Sequence, residues 1–214
     1  MKIALIGPTG FVGSAVLTEA LQRGHAVTAL SRNPAKLPAQ AGLTVVQADA
    51  TDPAQVAAAV AGTDAVVSAY NPGWAHPAIH DEFLRGTRAI FEGVKRSGVK
   101  RLLVVGGAGS LYVAPGVQLV DTPTFPAEWK QGALAAREAL KLIRQEAALD
   151  WTFLSPPVFL KPGDRTGAYR VGGDEVLMAG DQPAGISVAD LAVALIDEVE
   201  HPKHLQRRFT VASA

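Results

Sequence analysis

Residues Ile6 to Gly13 read IGPTGFVG and stand directly behind the short apolar run KIALI, Lys2 to Ile6. Gly7, Gly10 and Gly13 fall at three-residue intervals between an apolar run that reads as a strand and a stretch, Phe11 to Arg23, that reads as a helix. The spacing is G-x-x-G-x-x-G, not the G-x-G-x-x-G of the common dinucleotide motif. The physical demands are the same. A tight turn needs a residue without a Cβ, a pyrophosphate must come close to backbone N–H groups, and the helix start must pack near the strand. The helix N-terminus then attracts the anion. At the first strand-to-helix junction of a chain, this stretch predicts a dinucleotide cradle built from Gly7, Thr9, Gly10, Phe11, Val12 and Gly13.

The remainder of the chain supports that placement. Short β-branched runs alternate with longer alanine-rich amphipathic stretches, the pattern of stacked βαβ units. Strands are expected at Lys2 to Ile6, Ala26 to Ser31, Leu43 to Gln47, Ala65 to Ser68, Arg101 to Val105, Trp151 to Leu154 and Arg208 to Val211. None of the first six alternates cleanly between polar and apolar, which suits a parallel sheet covered on both faces. Helices are expected at Phe11 to Arg23, Pro53 to Val60, Pro77 to Ser97, Lys130 to Leu149 and Ser187 to Glu200. Asp52 is the N-cap of the second, with Pro53 at its first position. Residues 156–186 are rich in glycine and proline and read as a small lobe over the active-site edge of one domain spanning 1–214.

Composition narrows the functional classes. Twenty basic and twenty acidic side chains cancel to a formal net charge of zero, so nothing draws the chain to nucleic acid or an anionic membrane. No cysteine is present, which removes disulfides, thiolate nucleophiles and cysteine zinc sites. The opening apolar run is too short for a secretion signal and no run is long enough to cross a bilayer, so the expected location is the cytoplasm. A monomer or a homodimer is expected.

The end of the second strand decides which dinucleotide is preferred. NAD-binding folds tend to place an acid there, about 20 residues beyond the glycines, to bind the ribose 2′-hydroxyl. This chain instead reads Leu30, Ser31, Arg32, Asn33. Arg32 can pair with a 2′-phosphate, with Ser31 or Asn33 as a further donor, which favours NADPH over NADH. A solvated loop charge is the alternative for Arg32. Asp49, in QADATD after the third strand, is placed either to accept from the adenine amino group or to bond its own loop backbone.

Taken together, the TG-x-x-G-x-x-G turn, the arginine closing strand two, AD-x-x-D after strand three, GG-x-G-S after strand five, LDWTFLSPP and ISVADLA resemble the atypical short-chain dehydrogenase/reductase superfamily. Within it the chain is similar to the NmrA-like and flavin- or biliverdin-reductase-like NAD(P)H-binding proteins. The resemblance implies an α/β, Rossmann-type, doubly wound parallel sheet with helices on both faces and a small C-terminal substrate lobe. It also implies that Ala50, Ala69, Tyr70, Asn71, Gly106 and Pro156 flank the cofactor, and that Ser110 and Tyr112 lie near the reacting centre; the alternatives are a structural serine ending its glycine loop and an aromatic ring packed under a loop.

One departure bears on mechanism. Catalytic members of the superfamily use a tyrosine followed four residues later by a lysine that lowers the phenol pKa. Four places beyond Tyr70, Tyr112 and Tyr169 stand Trp74, Gly116 and Gly173. Alignment on Glu138 puts Lys130 and Leu134 at the tyrosine and lysine positions. Chemistry that survives this loss is hydride transfer to a planar acceptor that stabilises its own charge, such as a flavin, quinone or tetrapyrrole. A non-catalytic NADP(H) sensor of the NmrA-like kind and an epimerase- or dehydratase-type isomerase remain alternatives. His76 and His80 have a helical metal-pair spacing but no third ligand, so no metal is expected. His201 and His204 are expected in solvent, and Ser187 with Asp190 reads as a helix cap and first-turn acid.

Overall fold

The computed structural model describes residues 1–214. Its main sheet has eight strands: β1 (Lys2–Ile6), β2 (Ala26–Ser31), β3 (Leu43–Gln47), β4 (Ala65–Ser68), β5 (Arg101–Val105), β6 (Asp150–Ser155), β7 (Tyr169–Gly172) and β8 (Arg207–Ser213). The spatial order is β7-β8-β6-β5-β4-β1-β2-β3. Every neighbouring pair is parallel except β7 with β8. The strand order reverses between β1 and β4, and a crevice opens at such a switch point beyond the carboxyl ends of the strands.

Five helices cover the two faces: α1 (Phe11–Gln22), α2 (Pro53–Val60), α3 (Ile79–Ser97), α4 (Ala127–Arg144) and α5 (Val188–Glu200). Strand alternation assigns them. Ala4, Ile6, Val66, Leu102, Val104 and Phe153 pack under α2, α3 and α4. Their neighbours Ile3, Leu5, Val67, Leu103 and Leu154 pack under α1 and α5. All four residues of β4 are buried, as a central strand covered on both sides must be. The α/β doubly wound fold is therefore as expected, with Asp52 capping α2 through Ala54 N–H and Ser187 capping α5 through Asp190 N–H.

Two expectations change. The fourth helix starts at Ala127 and stops at Arg144, five residues before Leu149; Glu146 takes the Ala148 amide on its side chain and the Trp151 indole N–H on its carbonyl, which turns the chain into β6. Residues 156–186 do not form a separate lobe throughout. Tyr169–Gly172 extends the main sheet as its antiparallel edge, while Phe159–Lys161 pairs in parallel with Gly185–Ser187 in a two-stranded sheet. Long-range bonds hold this segment down. Arg165 donates two hydrogen bonds, of 2.7 and 2.8 Å, to the buried Glu19 of α1, and Tyr169 Oη donates to Asp197 of α5 at 2.7 Å. Asp190 accepts from Thr166 N, Thr166 Oγ1 and Gly167 N. No helix is long and apolar enough to cross a membrane.

Candidate functional site

A groove of about 440 Å³ runs over the carboxyl ends of β1 to β4, at the switch point. The glycine turn forms its floor, and each glycine has a different reason to be there. Gly7 has φ +80°, and a Cβ on it would stand 2.6 Å from Ala69 O. A Cβ on Gly13 would stand 1.9 Å from Gly7 O, so the first turn of α1 is pressed onto the loop and Gly13 is buried beneath it. Gly10 is the N-cap of α1 with φ −79° and ψ 170°, backbone any residue can adopt. A Cβ there would meet only Gly7 O, at 3.5 Å. Its side is open to the groove.

The start of α1 has no side-chain cap, whereas α2 and α5 do. The first N–H groups of α1 therefore have no protein acceptor and lie under the groove lined by Thr9, Gly10, Phe11 and Val12. This is the geometry a pyrophosphate requires.

At the β2–β3 end, Arg32, Asn33, Lys36, Asp49, Ala50 and Arg85 line the groove. Arg85 is paired with Glu82 at 2.6 Å, while Arg32 and Lys36 are exposed and form no ion pair. Ser31 also lines the groove, but its hydroxyl donates to Asn33 O and accepts from Asn33 N, which shapes the turn that presents Arg32. Asn33 in turn accepts from Ala35 N through Oδ1. Asp49 holds its own loop: Oδ1 accepts from Thr51 N and Thr51 Oγ1, and the backbone bond from Thr51 is the main reason its carboxyl sits below the usual range. Oδ2 accepts no hydrogen bond from the protein, and Asp49 lines the groove.

Ala69, Tyr70 and Asn71 follow β4 along the groove, and Gly106 and Pro156 close it where it meets a second, larger cavity. Tyr70 is anchored, its hydroxyl donating to Glu82 O at 3.1 Å and its ring lying on Gly86 of α3. Burial pushes its phenol pKa up. The larger cavity measures about 1420 Å³ and shares Phe11, Asn71, Trp74, Phe83, Gly106, Pro156 and Leu160 with the groove. Phe125, Trp129, Val158 and Phe159 add to its walls, and α4 faces it with Gly132, Ala133 and Ala136. Lys130 and Leu134, at the expected tyrosine and lysine positions, do not line it, and α4 offers it no proton donor.

Neither of the two residues expected near the reacting centre lines the groove or the larger cavity. Ser110 is 2% exposed and lines neither cavity. The guanidinium of Arg208, from β8, donates to both its hydroxyl and its carbonyl at 3.2 Å, so Ser110 is a structural anchor for the 106–110 loop. Tyr112 begins a short hairpin strand, donates its N–H to Asp174 O and also lines neither cavity. His204 is not solvated as expected: it stacks on Phe209 with centroids 4.4 Å apart and bonds Glu198 at 2.8 Å.

Lys36, Arg85, Phe125, Trp129 and Phe159 escaped the sequence reading. A signal for the aromatic site was available in two helical glycines, each costing about 1 kcal/mol relative to alanine. Gly86 makes room for Tyr70, and Gly132 for Trp74, whose ring carbon would be 2.6 Å from an added Cβ. No group of three potential metal-ligating side chains is present.

The comparisons with known proteins agree with this geometry. YwnB of Bacillus subtilis (strain 168), an uncharacterized protein, is 43% identical over 100% of this chain and 99% of its own length. A Bacteroides thetaiotaomicron structure provisionally named an epimerase is 45% identical, with a TM-score of 0.92 over 99% of this chain and 96% of that one. A Streptococcus pneumoniae structure provisionally named an NADH-flavin reductase is 33% identical, with a TM-score of 0.86 over 100% of both chains. The family model described as NAD(P)H-binding matches residues 7–202, from the first glycine of the turn to beyond α5. This chain belongs to the NAD(P)H-binding family, in the atypical short-chain dehydrogenase/reductase group, and its nucleotide cofactor is a nicotinamide one.

Proposed function

We propose that the protein is an NADPH-dependent reductase of a planar conjugated acceptor, of the flavin or quinone class. One observation carries the reading: the groove opens directly into a large aromatic-walled cavity that no aspartate, glutamate, histidine or tyrosine side chain lines. The bound dihydronicotinamide supplies a hydride, two electrons with one proton, and the acceptor takes its second proton from water. An acceptor able to hold that electron pair asks the protein only for binding and orientation.

The residues divide the work accordingly. The uncapped start of α1 and Gly10 hold the pyrophosphate. Arg32 and Lys36 face the 2′-phosphate, which distinguishes NADPH from NADH. Gly106 and Pro156, shared by groove and cavity, would flank a bound nicotinamide, and Phe11, Trp74, Trp129 and Phe159 would offer ring faces to a planar acceptor. The likeness to the Streptococcus pneumoniae protein supports a flavin-type acceptor; the choice of NADPH over NADH rests on the two unpaired cations.

The decisive experiment is NADPH oxidation followed spectrophotometrically with flavins, quinones, tetrapyrroles and aldehydes. Acceptor-dependent consumption with a flavin or quinone is expected. Tight NADPH binding with no acceptor reduced would instead make the protein a nucleotide sensor, and reduction of aldehydes alone would overturn the conjugated-acceptor reading.

A further inference from the structure

Among the side chains on the walls of the 1420 Å³ cavity, two carry charge, Lys161 and Arg170, and both are cationic. No aspartate or glutamate side chain lines it. Neither cation forms an ion pair, whereas in the neighbouring groove Arg85 is matched by Glu82. Arg170 is held in place without being neutralised: its guanidinium donates to the carbonyls of Ser213, at 3.1 Å, and Met178. Lys161 closes the strand Phe159–Lys161, whose backbone is fixed against Gly185–Ser187. Strand alternation puts Phe159 and Lys161 on one face, roughly 7 Å apart along the chain. A ring face and a cation thus stand side by side on the cavity wall.

Both cations are exposed at the edge of a cavity walled mainly by apolar groups, and a cationic pair without ion-pair partners there favours a ligand that brings its own negative charge. We propose that Lys161, supported by Arg170, is an anion subsite that selects planar acceptors carrying a phosphate, sulfonate or carboxylate group. The inference rests on the reductase reading of the same cavity and adds the substrate class. Phe159 takes part of the ring, and the ammonium of Lys161 takes the anionic tail.

Arg170 ties β7 to β8, so its replacement would disturb the sheet edge; Lys161 is exposed and makes no side-chain hydrogen bond, which makes it the residue to change. The test compares matched acceptors at saturating NADPH: flavin mononucleotide against riboflavin, and a sulfonated naphthoquinone against its neutral parent. In the wild type kcat/KM should favour the anionic member of each pair by tenfold or more at low salt, and added salt should reduce the ratio. Lys161→Met should bring the ratio to threefold or less, and Lys161→Arg should keep it. A wild-type ratio near one, or a ratio unchanged in Lys161→Met, overturns the subsite. Flavin fluorescence quenching gives a readout independent of turnover. Should no acceptor be reduced, the reductase reading fails by itself. Tighter binding of flavin mononucleotide than riboflavin, lost in Lys161→Met, would still support the subsite, and equal binding would overturn it.

Discussion

Replacing Gly10 separates nucleotide recognition from folding more cleanly than any other change in the glycine turn. Gly7 and Gly13 cannot serve. An added Cβ would stand 2.6 Å from Ala69 O at Gly7 and 1.9 Å from Gly7 O at Gly13, so either substitution must displace backbone. At Gly10 the backbone is extended and the nearest atom to a new Cβ is 3.5 Å away. The folded chain should therefore accept Gly10→Ala. Alanine is a poorer N-cap than glycine, a loss of up to about 1 kcal/mol. The stiffer unfolded chain offsets about 0.4–1 kcal/mol of that. The net change should lie within about 1 kcal/mol, or about 2–4 °C in Tm for a chain of this size. Binding should respond differently, because the open side of Gly10 lines the groove in which the proposed cradle would hold the pyrophosphate. Loss of even one charge-assisted hydrogen bond there costs about 1.5–3 kcal/mol, roughly 10- to 150-fold in Kd. Calorimetric titration with NADPH beside a thermal melt of the free protein would read both quantities. The larger Gly10→Val should lose binding further, and Gly13→Ala should lower Tm well beyond the Gly10→Ala shift. A folded Gly10→Val variant that binds NADPH within threefold of wild type would refute the cradle.

Arg32→Ala should weaken NADPH at least tenfold, about 1.4 kcal/mol, and leave NADH nearly unchanged; equal wild-type affinities for the two nucleotides by titration would defeat the assignment. Ser110→Ala should remove one buried hydrogen bond and cost on the order of 1 kcal/mol in a denaturant melt, with no selective fall in kcat; a hundredfold loss of kcat in a stable variant would return Ser110 to the chemistry. Glu198 is the group to watch in acid. Burial alone would raise its pKa, but the bonds from His204 and from the backbone N–H groups of Lys203 and His204 bring it below the usual value. A lowered folded pKa means stability present above the unfolded carboxyl pKa and lost as pH falls through the folded one. Glu198→Gln should therefore lose stability at neutral pH, by about 3–5 kcal/mol if Arg101 is left without a counter-charge, and should flatten the acid limb of the stability curve. An unchanged acid limb would show that other carboxylates set it.

The network around Glu198 explains how the far end of the sheet is held while the ligand end stays open. Glu198 gathers Arg101 of β5, Thr152 of β6 and the His204 turn before β8 at the amino ends of three strands. Its partners are satisfied by protein, apart from Arg101 Nε. At the carboxyl ends the α1 amides, Arg32, Lys36 and Lys161 have no protein counterpart.

The sequence by itself determined the order of strands and helices, the parallel sheet and the place of the glycine turn. It also carried the basic end of β2 and the absence of a tyrosine–lysine pair. These are local properties: hydrophobic period, capping residues and side-chain type act within a few residues of chain, and β1 to β5 appear where their apolar runs put them. Tertiary structure decided the rest. Where Ser110 sits depended on Arg208, 98 residues away, which donates to its hydroxyl oxygen and its carbonyl. Strand β7 carries no strong apolar run and became a strand because β8 offered an unpaired edge. The three glycines read alike in sequence, yet one supplies a positive φ, one a close helix contact and one an open face. The acceptor cavity collects Phe11, Trp74, Phe125, Trp129 and Phe159 from separate segments. Such convergence is a property of how helices and loops pack over the sheet, and no window of sequence contains both partners of a long-range contact.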